Sequence, residues 1–303
     1  MKKLQLGLKT VRAPFFIGPV MSAFIASALA FSGGYFNWIY LLIGIVVIIG
    51  INIGINLTND YFDHISKDDE LNKYPNPFSG GSRVIQEKLI SPKSILIGGI
   101  VSFTVVAAIG LYLVFTINFN LIWFGLAGVI FGYFYTAPPF KLVYRGWGEF
   151  FVFLLTGPIA VMGSYFLFTG RITLESFLIS LPHGFLMMLI LFVNEFPDYT
   201  ADKHVGKNHL VVRLGRKKSS YLYIIIIASS YLAVIIPVIL GIFPLFLLIV
   251  LLNMPLAIRA MLVVLKKYSH EKEIIPAQAT TILLAVTSAI LVSVGFIFDK
   301  IFI

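Results

Sequence analysis

The chain contains no cysteine, which excludes a disulfide framework and any thiolate site for zinc or an iron–sulfur cluster. Charge is also scarce: 12% of the 303 residues are Asp, Glu, Lys or Arg, about half the share a soluble domain carries. Five histidines lie scattered along the chain, with no metal-ligand spacing among them. The chain is instead rich in hydrocarbon. Hydrophobic residues make up 58% of it and the mean hydropathy is +0.93, the composition of an integral membrane protein.

Apolar runs long enough to span a ~30 Å hydrocarbon core fall near 14–32, 37–58, 94–116, 120–137, 148–168, 174–194, 220–240, 242–264 and 277–298. This pattern predicts an all-α bundle of nine transmembrane helices, multi-pass in the cell membrane. With an inside amino terminus, every loop Lys and Arg lies on the cytoplasmic side except Arg171 and Lys300. The +9 net charge is therefore topological. It also suits membrane lipid head groups or an anionic substrate, and gives no specific reason to invoke nucleic acid. Lys2, Lys3 and Lys9 precede an apolar segment ending Ala28-Leu29-Ala30, which has the shape of a signal peptide. Arg12 so close to Phe15, the length of the run and the altered charge topology after its removal favour a retained first helix.

The outer connections 33–36 and 117–119 are short and nearly uncharged, whereas the inner segments 64–93, 138–147, 197–219 and 265–276 are long and polar. Function is expected on that inner face, in a cytoplasmic-side cap. Two acidic clusters end apolar runs there: Asn56, Asp60 and Asp63, then Asn194, Glu195, Asp198 and Asp202. The spacings 56/60/63 and 195/198/202 each place their residues on one helix face. A carboxylate costs about 2.5–3.5 kcal/mol at mid-bilayer depth and less near the interface, so clustering implies a cationic partner.

A faint repeat supports one shared site. Asn56-x-x-x-Asp60 followed by Arg83, within Ser79-Gly80-Gly81-Ser82-Arg83, is echoed by Asn194-x-x-x-Asp198 followed by Arg213. Four spans separate the echoes, so both emerge on one side of the membrane. Residues 1–303 are read as a single domain of two weak four-helix halves, about 14–140 and 148–265, plus a ninth helix. Converging carboxylates need a cation, and all-oxygen ligands suit Mg2+ or calcium rather than zinc. Mg2+ is favoured, because it also takes phosphate oxygens and so clamps a diphosphate. Arg12, Lys73, Arg83, Lys141, Arg145, Lys203, Lys207 and Arg213 all lie in the inner-face segments where that diphosphate would sit.

Plainer readings hold for other residues. Asp68, Asp69 and Glu70 beside Lys67 read as an exposed charge run, and Asn52 as an interhelical hydrogen bonder. His183 reads as a packing histidine, Arg216-Lys217-Lys218 as a topogenic anchor, and Pro138-Pro139 as the end of the fourth span. An ion-coupled transporter is the alternative of a different class, since carriers also combine repeats with intramembrane acids.

The two acidic stretches, Asn56-Leu57-Thr58-Asn59-Asp60-Tyr61-Phe62-Asp63 and Asn194-Glu195-Phe196-Pro197-Asp198-Tyr199-Thr200-Ala201-Asp202, resemble the paired motifs of the UbiA-type intramembrane prenyltransferases. Ser79 to Arg83, Tyr135-Thr136-Ala137-Pro138-Pro139-Phe140-Lys141 and Gly146-Trp147-Gly148-Glu149 extend the resemblance. Gly206-Lys207 and Val211-Val212-Arg213-Leu214-Gly215 are most similar to the menaquinone-pathway branch. Glu195 departs from the Asn-Asp of many relatives.

The resemblance implies transfer of an isoprenoid chain from a polyprenyl diphosphate, geranylgeranyl or longer, to a small aromatic acceptor. 1,4-Dihydroxy-2-naphthoate comes first among acceptors, ahead of 4-hydroxybenzoate, homogentisate or geranylgeranylglyceryl phosphate. It implies that Asn56, Asp60, Asp63, Asp198 and Asp202 hold Mg2+. Arg12, Arg83 and Lys141 rank first as diphosphate ligands, with Lys73, Arg145, Asn194 and Tyr199 beside them. Tyr135 is expected to act in catalysis, and Tyr61, Tyr135 and Tyr199 to stabilise an allylic cation by roughly 0.5–2 kcal/mol each through their ring faces.

Overall fold

A computed structural model describes residues 3–67, 70 and 76–302 of the chain, and helices dominate them. A short helix, α1 (Lys3–Thr10), precedes α2 (Ala13–Ser32), α3 (Trp38–Ser66), α4 (Pro92–Thr116), α5 (Leu121–Phe134) and α6 (Gly148–Thr169). There follow α7 (Leu174–His204), the single turn α8 (Leu210–Leu214), α9 (Arg216–Ile239), α10 (Leu245–Lys267) and α11 (Ile275–Phe302). Among the described residues, eight helices are long and apolar enough to cross a membrane. The expected span at 120–137 is the exception. Its helix α5 has 14 residues, so at 1.5 Å per residue it is about 21 Å long, short of a ~30 Å core. The Pro138-Pro139 pair cannot continue a helix, and the backbone turns away before reaching it.

Two helices outrun their apolar stretches and carry the acidic motifs. α3 starts where the Asn37 side chain accepts hydrogen bonds from Ile39 N and Tyr40 N (2.8 and 3.3 Å), satisfying two of the N–H groups a helix start leaves unpaired. It continues to Ser66, eight residues past the expected end at 58, so Asp60 and Asp63 lie on a helix face. α7 begins with a capping box between Thr173 and Ser176 and runs 31 residues to His204, taking in Pro182 and Pro197. α6 passes through a wide turn at Leu155–Ile159 that contains Pro158. At that crossing a Cβ on Gly157 would fall 2.8 Å from Gly184 Cα and Ser180 O, so only glycine lets α6 and α7 approach this closely.

The larger cluster of buried apolar side chains joins α2, α7, α9, α10 and α11, through residues such as Ile25, Leu189, Phe192, Leu247 and Leu284. In lipid these contacts are held by shape complementarity and a few polar links rather than by the hydrophobic effect. Tyr223 hydrogen-bonds Thr281 at 2.6 Å, and Asn253 lies 2.6 Å from Tyr231 and 2.7 Å from Ser288; such bonds average about 0.6 kcal/mol. His183 is buried in this region. Arg216, expected as a topogenic anchor, donates to Phe196 O and Glu271 (3.0 and 2.7 Å), tying α7 and α9 to the connection between α10 and α11.

Candidate active site

A cavity of about 570 Å³ opens between α3, α4, α5, α6 and α7. One end is hydrocarbon, with Val106, Val114, Phe124 and Leu167 in its wall. The other is polar, and both acidic motifs reach it: Asn56, Asn59 and Asp63 from α3 face Asn194, Glu195, Asp198 and Asp202 from α7. Their approach has a direct marker. The Lys207 ammonium lies 3.6 Å from Asp63 Oδ2 and 3.8 Å from Asp202 Oδ1, so one cation touches an acid of each motif.

The first motif is held from the amino-terminal segment. Arg12, in the left-handed region (φ 54°) between α1 and α2, pairs with Asp60 and donates to Asn59 Oδ1 at 3.3 Å. Asp60 is 2% exposed and lies outside the cavity wall, and among the described residues its Oδ2 has no hydrogen-bond partner. Asn56 donates to Val11 O at 3.1 Å, tying the same segment one helical turn deeper. Asp63 accepts from Tyr144 Oη (2.8 Å) and Asn59 Nδ2 (3.0 Å).

The second motif is held by the loop that follows it. Gly206, with φ of 76°, turns the chain back so that Lys207 N reaches Asp202 O at 2.9 Å. Two residues on, His209 is fully buried, with Nε2 2.8 Å from Asp202 Oδ2 and Nδ1 3.2 Å from Glu195 Oε2. Burial alone would lower the His209 pKa, but the Glu195 and Asp202 carboxylates outweigh it and push the pKa up to about 10. Glu149, at the start of α6, accepts from Leu210 N at 2.6 Å and is itself buried. Ser79 donates to Asp198 at 3.2 Å, so the 79–81 turn closes over the second motif.

Of the basic residues expected at a diphosphate, the cavity wall takes Arg12 and Lys207. Lys207, ranked below Arg83 and Lys141, is the one between the motifs among the described residues. Arg83, Lys141 and Arg145 are not in the wall. Lys141 lies over the Tyr144 ring (5.6 Å) and Arg145 donates to Pro139 O (3.0 Å). Lys73, with Asp68 and Asp69, falls outside the described residues. Tyr135 lines the cavity but Tyr61 and Tyr199 do not; Tyr61 meets Phe62 edge-on, and the Tyr199 ring lies beneath Arg216 (5.0 Å) and Lys203 (5.8 Å). Asn52 bonds its own helix, to Ile48 O at 3.0 Å, rather than a neighbour.

Sequence reasoning missed His209, Tyr144 and Asn59 as parts of the site and left Glu195 without a partner. Five histidines without metal spacing gave no signal for His209, because its partners lie seven and fourteen residues away across a chain reversal. The donor set fits a hard divalent cation. The site offers carboxylate and amide oxygens, Asp60 Oδ2 is orphaned in a buried position, and an ammonium already stands between Asp63 and Asp202 where positive charge is needed.

Residues 20–277 match the UbiA prenyltransferase family. The chain is 30% identical over 210 residues to the 1,4-dihydroxy-2-naphthoate octaprenyltransferase of Bacillus subtilis (strain 168), covering 69% of this chain and 66% of that protein, just under two thirds of its length. It is 29% identical over 227 residues to the Mycobacterium leprae (strain TN) protein of the same name, covering 75% of this chain and 72% of that one.

Among solved structures, a digeranylgeranylglyceryl phosphate synthase superposes with a TM-score of 0.67 at 21% identity, over 98% of this chain and 99% of that one. A UbiA homolog from Archaeoglobus fulgidus bound to GPP and Mg2+ gives 0.63 at 17% identity, again over 98% and 99%. These structural likenesses establish the fold. The family match across most of its length makes this multi-pass helical membrane chain a member of the UbiA prenyltransferase family.

Proposed function

We propose that the protein transfers an isoprenoid chain from an allylic polyprenyl diphosphate to an aromatic acceptor, 1,4-dihydroxy-2-naphthoate in the first place. One observation carries this reading: two acidic motifs from separate helices meet, through one ammonium, at the polar end of a cavity whose other end is hydrocarbon. That shape matches a substrate with a doubly charged head and an apolar tail. The relatives named for 1,4-dihydroxy-2-naphthoate prenylation support the acceptor. We place the amino terminus and the site on the cytoplasmic side, where the Lys and Arg of the loops collect. In this reading the short α5 stands in the place of the expected fourth span, within two parallel halves.

Asn56, Asp60, Asp63, Asp198 and Asp202 would hold Mg2+, which when bound supplies positive charge to the diphosphate. The chain's own residues do the rest. Lys207 and Arg12 offset negative charge growing on the leaving group as the allylic C–O bond lengthens. Ser79, with the Gly80 and Gly81 turn, closes the head-group end. Tyr135 lines the cavity with the acids and stabilises the allylic cation. The wall beyond it, from Ile51 and Ile55 to Phe124 and Leu167, seats the tail and excludes the water that would quench that cation.

The test uses purified protein with Mg2+, geranylgeranyl diphosphate and a panel of acceptors, with products read by mass. Prenylated naphthoate is the expected product. Magnesium-dependent product from 4-hydroxybenzoate or homogentisate alone would reassign the acceptor, and no product from any acceptor would refute the reading.

A further inference from the structure

Beneath the diphosphate end lies a second group of buried donors that prenyl transfer as proposed leaves unused. Glu149 from α6, Glu195 from α7 and His209 from the connecting loop bring ligand atoms within 4.8 Å of one another, all of them buried. Two features separate this group from an ordinary acidic cluster. Glu149 Oε2 and Glu195 Oε1 are inaccessible to solvent and, among the described residues, have no hydrogen-bond partner, and an orphaned buried carboxylate oxygen costs more than a lost hydrogen bond. The histidine is also oriented as a metal ligand would be. Its Nε2 lies 2.8 Å from Asp202 Oδ2, so an N–H there donates to a carboxylate and fixes the tautomer with Nδ1 turned towards Glu195. The present contact to Nδ1 from a backbone donor, Val212 N, is long at 3.4 Å.

From this geometry we infer a second divalent-cation site, formed by Glu149, Glu195 and His209 Nδ1, separate from the one that serves the diphosphate. One imidazole and two carboxylates favour a borderline ion such as Zn2+ over Mg2+. Tetrahedral zinc with bonds of ~2.0–2.1 Å places its ligand atoms about 3.4 Å apart, so the three side chains close by about an ångström, within side-chain movement. Charge favours occupancy. Three buried carboxylates, Glu149, Glu195 and Asp202, surround one imidazole, and a divalent ion offsets them more fully than a proton on His209 does. Such an ion would pin the start of α6 and the 205–210 loop to α7, fixing Asp202 and Lys207 at the cavity mouth. This goes beyond the prenyl-transfer reading, because it concerns binding that needs no diphosphate.

The experiment is metal uptake without substrate. Chelator-stripped protein in detergent is equilibrated with Zn2+, and retained metal is counted by mass spectrometry while X-ray absorption reports the ligands. One equivalent with nitrogen and oxygen ligands is expected in the wild type and in an Asp60→Asn/Asp198→Asn variant. Glu149→Gln and Glu195→Gln, which keep shape and remove charge, should bind at least tenfold more weakly. Zn2+ should raise the melting temperature of the wild type and not of these two. No zinc retained by the wild type, unchanged retention in Glu149→Gln, or loss in the Asp60→Asn/Asp198→Asn variant would each overturn the site. Acceptor prenylation is assayed separately, so zinc retention without prenyl transfer would refute only the functional reading.

Discussion

The two acidic motifs read almost as copies in the sequence, yet the fold secures them by opposite means. Asp60 in the first is paired with Arg12, 48 positions earlier and on a different element. Asp202 in the second is paired with His209, seven positions later on the same strand of chain. The first motif thus depends on how the amino-terminal segment docks across α3. The second depends on a local reversal at Gly206 and carries its own buried counter-charge. A repeat in sequence fixes which face carries acids; the surroundings decide what neutralises them.

Substitutions can break this comparison, and the largest effect is expected at the acids themselves. Asp60→Ala or Asp198→Ala should lower prenyl transfer by about a thousandfold or more in a protein that still folds; near-wild-type product in the mass assay would remove either residue from the site. Lys207→Ala should cost about a hundredfold, because it takes away the positive charge shared by Asp63 and Asp202.

Arg12→Ala tests the asymmetry directly. Leaving Asp60 buried without its partner should destabilise the protein by about 3 kcal/mol, read as a lowered melting temperature, and Asp60→Asn in the same chain should restore part of that loss. A smaller change is expected at the hydrocarbon end. Gly125 lines the cavity and has open space where a Cβ would point, so Gly125→Leu should shift preference several-fold towards shorter prenyl donors, measured by competition between geranyl and geranylgeranyl diphosphate. The least is expected of Tyr199→Phe, under twofold in turnover, since that ring packs beneath Arg216 and Lys203 rather than in the cavity wall.

What could be read from sequence was what repeats or has a period. The apolar runs located every long helix, and the i, i+4, i+7 spacing placed Asp60 and Asp63 on one face. α5 came out shorter than its apolar run because the helix already ends at Phe134, four residues before the Pro138-Pro139 pair that marked the expected end. Basic residues were the least legible. Arg83, Lys141 and Lys207 all sit in inner-face loops, but a loop lysine's reach is set by local turns: Lys141 and Lys207 both lie over the Tyr144 ring, and only Lys207, after the turn at Gly206, enters the cavity wall beside Asp63. His209 was invisible for a related reason, since a contact formed by a chain reversal has no period.

The central claim is that both motifs grip one diphosphate, and coupling between Asp63 and Asp202 tests it most directly. Magnesium-dependent binding of a non-reactive farnesyl thiodiphosphate would be measured for the wild type, Asp63→Asn, Asp202→Asn and the double variant. The account predicts that each single substitution weakens binding at least tenfold and that the double loses clearly less than the two losses added together, because the acids share one ligand. Unchanged affinity in either single variant, or losses that simply add, would contradict a shared site.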